Sequence, residues 1–419
     1  MKTSIISALI LFSALFCAPG APALMIEQGE APLQGKPPAT DIQIIESVPE
    51  GVPMDHPDIK NTAEAWIEII NGAKESMDAE EFYISSEKGS KMDEVIRSIM
   101  KAAGRGVKTR FIFDTSFYQN SRDGINLLKS SPNIKIGLLD MKKFTGGVMH
   151  AKYFIIDEEL TFLGSQNFDS KALEQIFELG VLIKSEEFAQ RALKIFNHDW
   201  NLCLTDTFTS APAALPVRQE PIILNYYGET ASVRLTSAPN ALNPEGPDDE
   251  LAALLGIING SKDSVYIQVM QYSPKDPYSG VYMDSIDNAL RRAAARGVKV
   301  RLLVTDWNIK YPDIDYIKSL SVTPNIEVKM IIIPRLKEKF LSFARVCHAK
   351  YMVADGENIW IGSSNWQPGY FTSSRNVGAA ISGRKIGKDI KRIFLDYWTS
   401  EYASGIDPAR EYEKPQVSD

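Results

Sequence analysis

Cysteine and histidine are scarce in this chain, whose 419 residues hold three Cys and four His. So few cysteines exclude a disulfide-stapled scaffold. The net charge of −7 gives no global attraction to nucleic acid or anionic membranes, so a polyanionic partner has to meet a local basic patch. Past the N-terminus no apolar run is long enough to cross a bilayer. Hydrophobic content of 44% and charged content of 24% are ordinary for a globular protein. The length suits two lobes of roughly 150–200 residues better than one core.

The N-terminus has its own character. Lys2 precedes an apolar run over residues 5–16, and Ala21 and Ala23 offer small residues for cleavage after Ala23. Residues 1–23 therefore read as a signal peptide, which implies a secreted or periplasmic chain. Phe16 ahead of Cys17 argues against lipoprotein processing. Cleavage leaves Cys203 and Cys347, expected as two unpaired thiols.

Two stretches dominate the remainder. Residues 148–156 and 346–354 each lead into a His-x-Lys-x-x-x-x-Asp motif: His150, Lys152 and Asp157, then His348, Lys350 and Asp355. Each is followed by Gly-Ser-x-Asn: Gly164, Ser165 and Asn167, then Gly362, Ser363 and Asn365. Every pair is 198 residues apart (348−150, 350−152, 355−157, 363−165, 365−167), so one half-site occurs twice without a gap.

Around the motifs the plan also repeats. Arg105-Gly106-Val107-Lys108 recurs as Arg296-Gly297-Val298-Lys299 at an offset of 191, and Phe196 and Trp200 recur as Phe394 and Trp398 at 198. Offsets that change only in loops mark a duplicated structure. Alternating strand and helix patterns predict an α/β fold of two duplicated lobes, each a mixed β-sheet flanked by helices. The expected order is an extended surface arm over 24–60, a first lobe over 61–204, a Pro-rich linker over 205–222, a second lobe over 223–405 and a solvated tail over 406–419. Duplicated lobes pack naturally about a pseudo-two-fold axis, where equivalent residues meet.

These paired motifs resemble the phospholipase D superfamily across essentially the whole mature chain. Ser47-Val48-Pro49-Glu50-Gly51, residues 342–346, and Ser364-Asn365-Trp366 with Gly369-Tyr370-Phe371-Thr372 are similar to the animal endolysosomal branch, whose members degrade single-stranded nucleic acid from the 5′ end. The resemblance implies a metal-independent phosphodiesterase with no cofactor, working through a phosphohistidine. The alternatives are a phospholipase D or transphosphatidylase acting on lipid head groups, and an inactive binding protein.

The residue types suit that chemistry. A phosphodiester anion repels nucleophiles, so Lys152 and Lys350 are expected to neutralise it, with amides from Asn167 and Asn365 and hydroxyls from Ser165 and Ser363. One imidazole attacks phosphorus while the other protonates the leaving alcohol and then deprotonates water. Eleven residues past each motif asparagine the repeats differ, Glu178 against Asn376. By the resemblance, Glu178 holds His348 as imidazolium for the acid role, and Asn376 leaves His150 neutral for the nucleophile role. Asp157 and Asp355 are expected to be structural, fixing the turn before Gly164 and Gly362. Trp366, Tyr370 and Phe371 are candidate substrate contacts. Arg335, Lys337, Lys339 and Arg345, with Lys142 and Lys143, are a candidate basic approach.

Overall fold

In the computed structural model the described residues are 40–205 and 219–418. The expected leader, its cleavage point, residues 24–39 of the arm and most of the linker lie outside them. Among the described residues, no helix is long and apolar enough to cross a membrane.

The first lobe is built on an eight-stranded mixed sheet. Strands Ser76–Glu81, Lys108–Asp114 and Ile134–Leu139 run parallel. Strands Lys152–Ile156, Leu160–Gly164, Glu178–Lys184 and Ile42–Ser47 continue antiparallel from Ser76–Glu81. The second lobe repeats this in a ten-stranded sheet, with Ser264–Gln268, Lys299–Thr305 and Ile326–Ile331 parallel and Tyr351–Ala354, Asn358–Gly362, Asn376–Ser382 and Glu229–Ala238 antiparallel. This is the duplicated α/β architecture that the repeats imply.

Local chemistry explains the elements. Helix Lys91–Gly104 starts where the Ser90 side chain accepts the Asp93 N–H, and it buries Met92, Val95, Ile96, Ile99, Ala102 and Ala103 at three- and four-residue spacing. The repeated Arg-Gly pair has one job in both lobes. Arg105 donates to the carbonyls of Ile70, Asn71 and Ala73, and Arg296 to those of Ile258 and Ser261, closing the C-terminal end of the preceding helix. Gly106 and Gly297 then turn at φ +104° and +90°, which glycine adopts freely.

Two expectations change. The segment 24–60 is not all surface arm: Ile42–Ser47 pairs with Glu178–Lys184 and buries Ile42, Ile44 and Ile45, so the first lobe begins before residue 61. Its alternation was too short to stand out as a strand beside the Pro-rich stretch that precedes it. The C-terminal tail is mostly exposed yet tethered, since Val417 accepts the Phe343 N–H at 2.8 Å. Cys203 and Cys347 are free thiols.

The lobes share one apolar core, in which Phe177 and Tyr397 meet ring to ring at 4.0 Å. Their backbones also cross-pair. Met149 bridges Arg375, and Phe177 bridges Cys347. Adding 198 to 149 and 177 gives 347 and 375, so the two bridges are the same contact made twice about a pseudo-two-fold axis.

Asp157 and Asp355 stand at the far ends of the motif strands, both at positive φ. The Asp157 carboxylate accepts from the backbone N–H groups of Lys74, Glu75 and Ser76, and Asp355 from those of Lys262, Asp263 and Ser264. They pin the entry to the neighbouring parallel strand rather than the turn before Gly164 and Gly362. Asp355→Asn keeps a residue that tolerates positive φ but weakens these charge-assisted bonds. We expect a loss of about 2 kcal/mol in a denaturation experiment, with phosphodiester turnover retained.

Candidate active site

The cross-lobe bridges aim the catalytic candidates. The His150 N–H donates to the Arg375 carbonyl at 2.8 Å, and the His348 N–H donates to the Phe177 carbonyl at 2.8 Å. The next residue after each acceptor then faces the imidazole of the opposite lobe. Asn376 Oδ1 lies 3.0 Å from His150 Nδ1, and the two Glu178 oxygens lie 2.8 and 2.9 Å from His348 Nδ1.

Asn376 is fixed on all sides. Its Nδ2 donates to the carbonyls of Tyr370 and Ser374, and its Oδ1 also accepts from Ser363 Oγ. An amide held this way presents only an acceptor to His150, so His150 carries its proton on Nδ1 and leaves a lone pair on Nε2. The two halves thus differ in the group that faces each imidazole, an amide on His150 and a carboxyl on His348.

Both lysines are fully buried, and each Nζ donates to the carbonyl of the histidine two residues earlier. Burial, Lys152 and Lys350 together hold His150 well below its ordinary pKa, with His348 adding to the fall. With Asn376 of the second lobe on His150 and Glu178 of the first on His348, the two half-motifs form a single site. Lys152 is held well down by burial and then by Lys350, while burial brings Lys350 to about 7 against the pull of Glu178.

The same physics works against the expected imidazolium at His348. Burial, Lys350 and Lys152 push His348 well below its ordinary value, and burial raises Glu178 to about 8. The expectation counted the carboxylate and left out two lysines in a dry pocket. The pair still holds one proton between them, and with it a proton on His348 Nε2 whichever partner is formally charged.

Three further expectations meet the structure differently. Ser165 and Ser363 do not offer free hydroxyls: each bonds to the neighbouring strand, at Leu179 and at Val377, with Ser363 also holding Asn376. Trp366 (1% exposed) and Phe371 (4%) belong to the second lobe's core and not to a substrate surface. Trp366 packs near Trp360, because the residue after each motif asparagine continues into the lobe. Arg345 is buried and donates to the Pro334 and Glu50 carbonyls, so the basic cluster loses one member to structure.

The remaining candidates stay at the site. Tyr370 sits edge-on against His150, with ring centres 4.9 Å apart. Neither amide atom of Asn365 nor the Asn167 carbonyl oxygen has a hydrogen-bond partner in the protein, although both residues are buried. Buried amides left unpaired are held ready for a ligand oxygen or hydroxyl. The motif glycines serve close packing: a Cβ at Gly362 would lie 2.9 Å from the Cα of Gly378, its cross-strand partner.

Sequence reading missed Phe82, which lies 5.0 Å from the His150 ring and 5.1 Å from Lys152 Nζ. It also missed Glu81, buried opposite Lys152 in the sheet. The signal was faint, since Phe82 and Glu81 have no counterpart in the second repeat. Among the described residues, no group of three or more His, Cys, Asp or Glu side chains stands where it could hold a metal ion.

With the geometry in place, comparison with known proteins decides the family. The "Cardiolipin synthase, PLD-like domain" family matches twice, over residues 66–200 and 254–398. The chain belongs to the phospholipase D superfamily. It is 32% identical to the 5'-3' exonuclease PLD3 of Bos taurus over 88% of this chain and 81% of that one. It is 31% identical to the Homo sapiens PLD3 over the same shares, and 28% identical to the 5'-3' exonuclease PLD4 of Mus musculus over 87% and 79%. Among solved structures, the phosphatidylserine synthase of Haemophilus influenzae superposes with a TM-score of 0.58 at 11% identity, covering 82% of this chain and 85% of that one. At that identity the likeness concerns the fold. As a phospholipase D relative on the PLD3 and PLD4 branch, the chain is a phosphodiesterase.

The Asn376 network makes a direct prediction. Asn376→Asp gives His150 a carboxylate partner and raises its pKa. With only four histidines in the chain, ¹⁵N-histidine NMR resolves the titration; the His150 midpoint moves to higher pH in the variant.

Proposed function

We propose that this protein hydrolyses single-stranded nucleic acid, trimming it in the manner of a 5′ exonuclease through a phosphohistidine at His150. The observation that carries the roles is the asymmetry between Asn376 and Glu178 at matched positions of the two repeats. The names of the exonuclease relatives support the substrate class.

The steps balance without a metal. His150 Nε2 attacks phosphorus, forming the N–P bond as the bond to the leaving oxygen breaks. The leaving oxygen takes the proton from His348 Nε2. In the second step the Glu178–His348 pair takes a proton from water as its oxygen attacks phosphorus, and the N–P bond breaks to restore His150. Lys152 and Lys350 stabilise the charge on the phosphoryl oxygens, and Asn167 and Asn365 add amide donors. In a site this buried, each such contact acts at far lower dielectric than in water. Burying two lysines also costs free energy, and a phosphate anion offsets that cost only when bound. The apolar leader over residues 1–23 supports a secreted or periplasmic setting.

His150→Ala abolishes a ³²P-labelled covalent adduct, whereas His348→Ala retains one; the opposite pattern reverses the two roles. Incubation with labelled oligonucleotide and with phosphatidylcholine, both with EDTA present, tests the substrate class: oligonucleotide shortening supports the reading, and choline release alone overturns it.

The pH dependence follows from the shifts. His150 must be neutral, and its depressed pKa keeps it so until well below pH 6.5. Lys152 and Lys350 must both be charged; burial lowers both, and Lys350 loses its proton as pH rises through about 7. Burial raises the Glu178 carboxyl to about 8, so the proton it shares with His348 is held through neutrality and lost at higher pH. A plot of kcat/KM against pH is therefore expected to plateau on the acidic side of neutrality and to fall from about pH 7 upward.

A further inference from the structure

The two lobes are nearly copies at the site but not at its approach. Between the first parallel strand and the helix after it, the first lobe has nine residues (82–90) and the second has sixteen (269–284). The extra length forms a hairpin. Lys275 bridges Tyr282, the Asp276 N–H donates to the Val281 carbonyl, and Gly280 turns at φ +73°. The Asp276 carboxylate is buried beneath it and accepts from the N–H groups of Tyr278 and Ser279 and from Ser279 Oγ. The loop is thus held in shape from inside.

That rigid loop displays aromatic rings to solvent. Tyr278 is 94% exposed and Tyr282 57%, and Tyr311 on the adjoining turn is 86% exposed. Tyr278 and Tyr311 line one groove of about 380 Å³, together with Lys275 and Lys310. Tyr316 lies 6.2 Å from Tyr282 and continues the row. The groove's acids are spent within the protein: Asp276 caps the hairpin, and Asp313 is buried facing Lys310 at 3.4 Å.

The row reaches the site. Asp276 Oδ2 accepts the Gly369 N–H at 3.1 Å, and the next residue, Tyr370, rests on His150. Burial raises the Tyr370 phenol to about 12 against the pull of the Asn365 side chain. On the other flank of His150 the first lobe offers Phe82 and Phe117, with ring centres 4.1 Å apart.

We propose that Tyr278, Tyr311 and Tyr282, with Lys275 and Lys310, form a stacking track that receives the unpaired bases of a nucleic acid strand whose phosphate lies between His150 and His348. The proposal rests on the nucleic-acid reading above and deepens it. Exposed rings spaced along a groove hold bases of any sequence by stacking, and the lysines meet the phosphates between them. A preformed loop loses little entropy on binding, so the rings act as a ready platform. A lipid surface fits less well, because Ser279, Gly280 and the two lysines interrupt the apolar area. Bases paired in a duplex cannot splay onto the rings, so the track also selects single strands.

The test uses the full-length protein and the double variant Tyr278→Ser/Tyr311→Ser, whose changes are at exposed side chains and leave the core intact. Substrates are an unpaired oligonucleotide, the same oligonucleotide with abasic sites beyond its terminal nucleotides, and bis(p-nitrophenyl) phosphate. We expect the variant's KM for the unpaired strand to rise roughly tenfold or more, with turnover of the small diester unchanged. Wild-type enzyme should lose a comparable factor on the abasic strand, and the variant should lose little more. Equal KM values for variant and wild type on the unpaired strand overturn the track. A parallel loss on the small diester overturns it as well, by showing a structural role. Loss of phospholipid-vesicle binding with oligonucleotide KM unchanged assigns the rings to a membrane instead. If wild-type enzyme cleaves the small diester but no oligonucleotide, the nucleic-acid reading itself fails, and the track falls with it.

Discussion

The structure depends on a reciprocal backbone contact. Residues 149 and 177 of one half bridge residues 375 and 347 of the other, and each bridge delivers a histidine N–H to a carbonyl across the lobe boundary. Because a backbone bridge fixes register, the residue following each carbonyl has to face the imidazole opposite. That requirement places Glu178 on His348 and Asn376 on His150 with no freedom to exchange partners. A buried ion pair reinforces the same seam: Asp199 of the first lobe meets Arg375 through two contacts of 2.6 and 2.9 Å. Arg375 is also the residue whose carbonyl receives the His150 N–H. The seam that joins the lobes and the seam that aligns the site are one object.

Duplication and asymmetry do different work. Symmetry supplies two lysines, two histidines and two asparagines around one point, as a phosphoryl group with several charged oxygens requires. A two-step displacement needs imidazoles in unlike protonation states, and unequal partners at His150 and His348 fix which imidazole takes which state. A single carboxylate-for-amide difference breaks the equivalence through tautomer and proton count while leaving the framework undisturbed. Loops break it again outside the site, where the second lobe alone carries the tyrosine hairpin.

Burial sets the electrostatic character. Two cations in a dry pocket repel each other and lower every nearby pKa, the histidines included. Glu81, opposite Lys152 in the sheet, and Glu178 pull against the fall of the lysine pKa values, although burial raises both carboxyls above their ordinary range. Such an arrangement is poor for stability and well suited to receiving an anion.

Much of this was legible in the sequence. A gapless 198-residue offset identifies the repeat, the paired His-Lys sets and the unequal positions 178 and 376, because duplicated strands cannot slip register without turning every side chain over. The α/β class and two-lobe plan follow from the same periodicities. Strand Ile42–Ser47 was hidden, since its partner lies more than a hundred residues away and local pattern carries no pairing information. The fate of Trp366, Phe371, Ser165 and Ser363 was equally out of reach, for residue type does not say which side of a strand end is core. Tertiary structure alone decided the protonation balance and the tautomer of His150, because both are sums over charges and hydrogen bonds contributed by opposite halves of the chain.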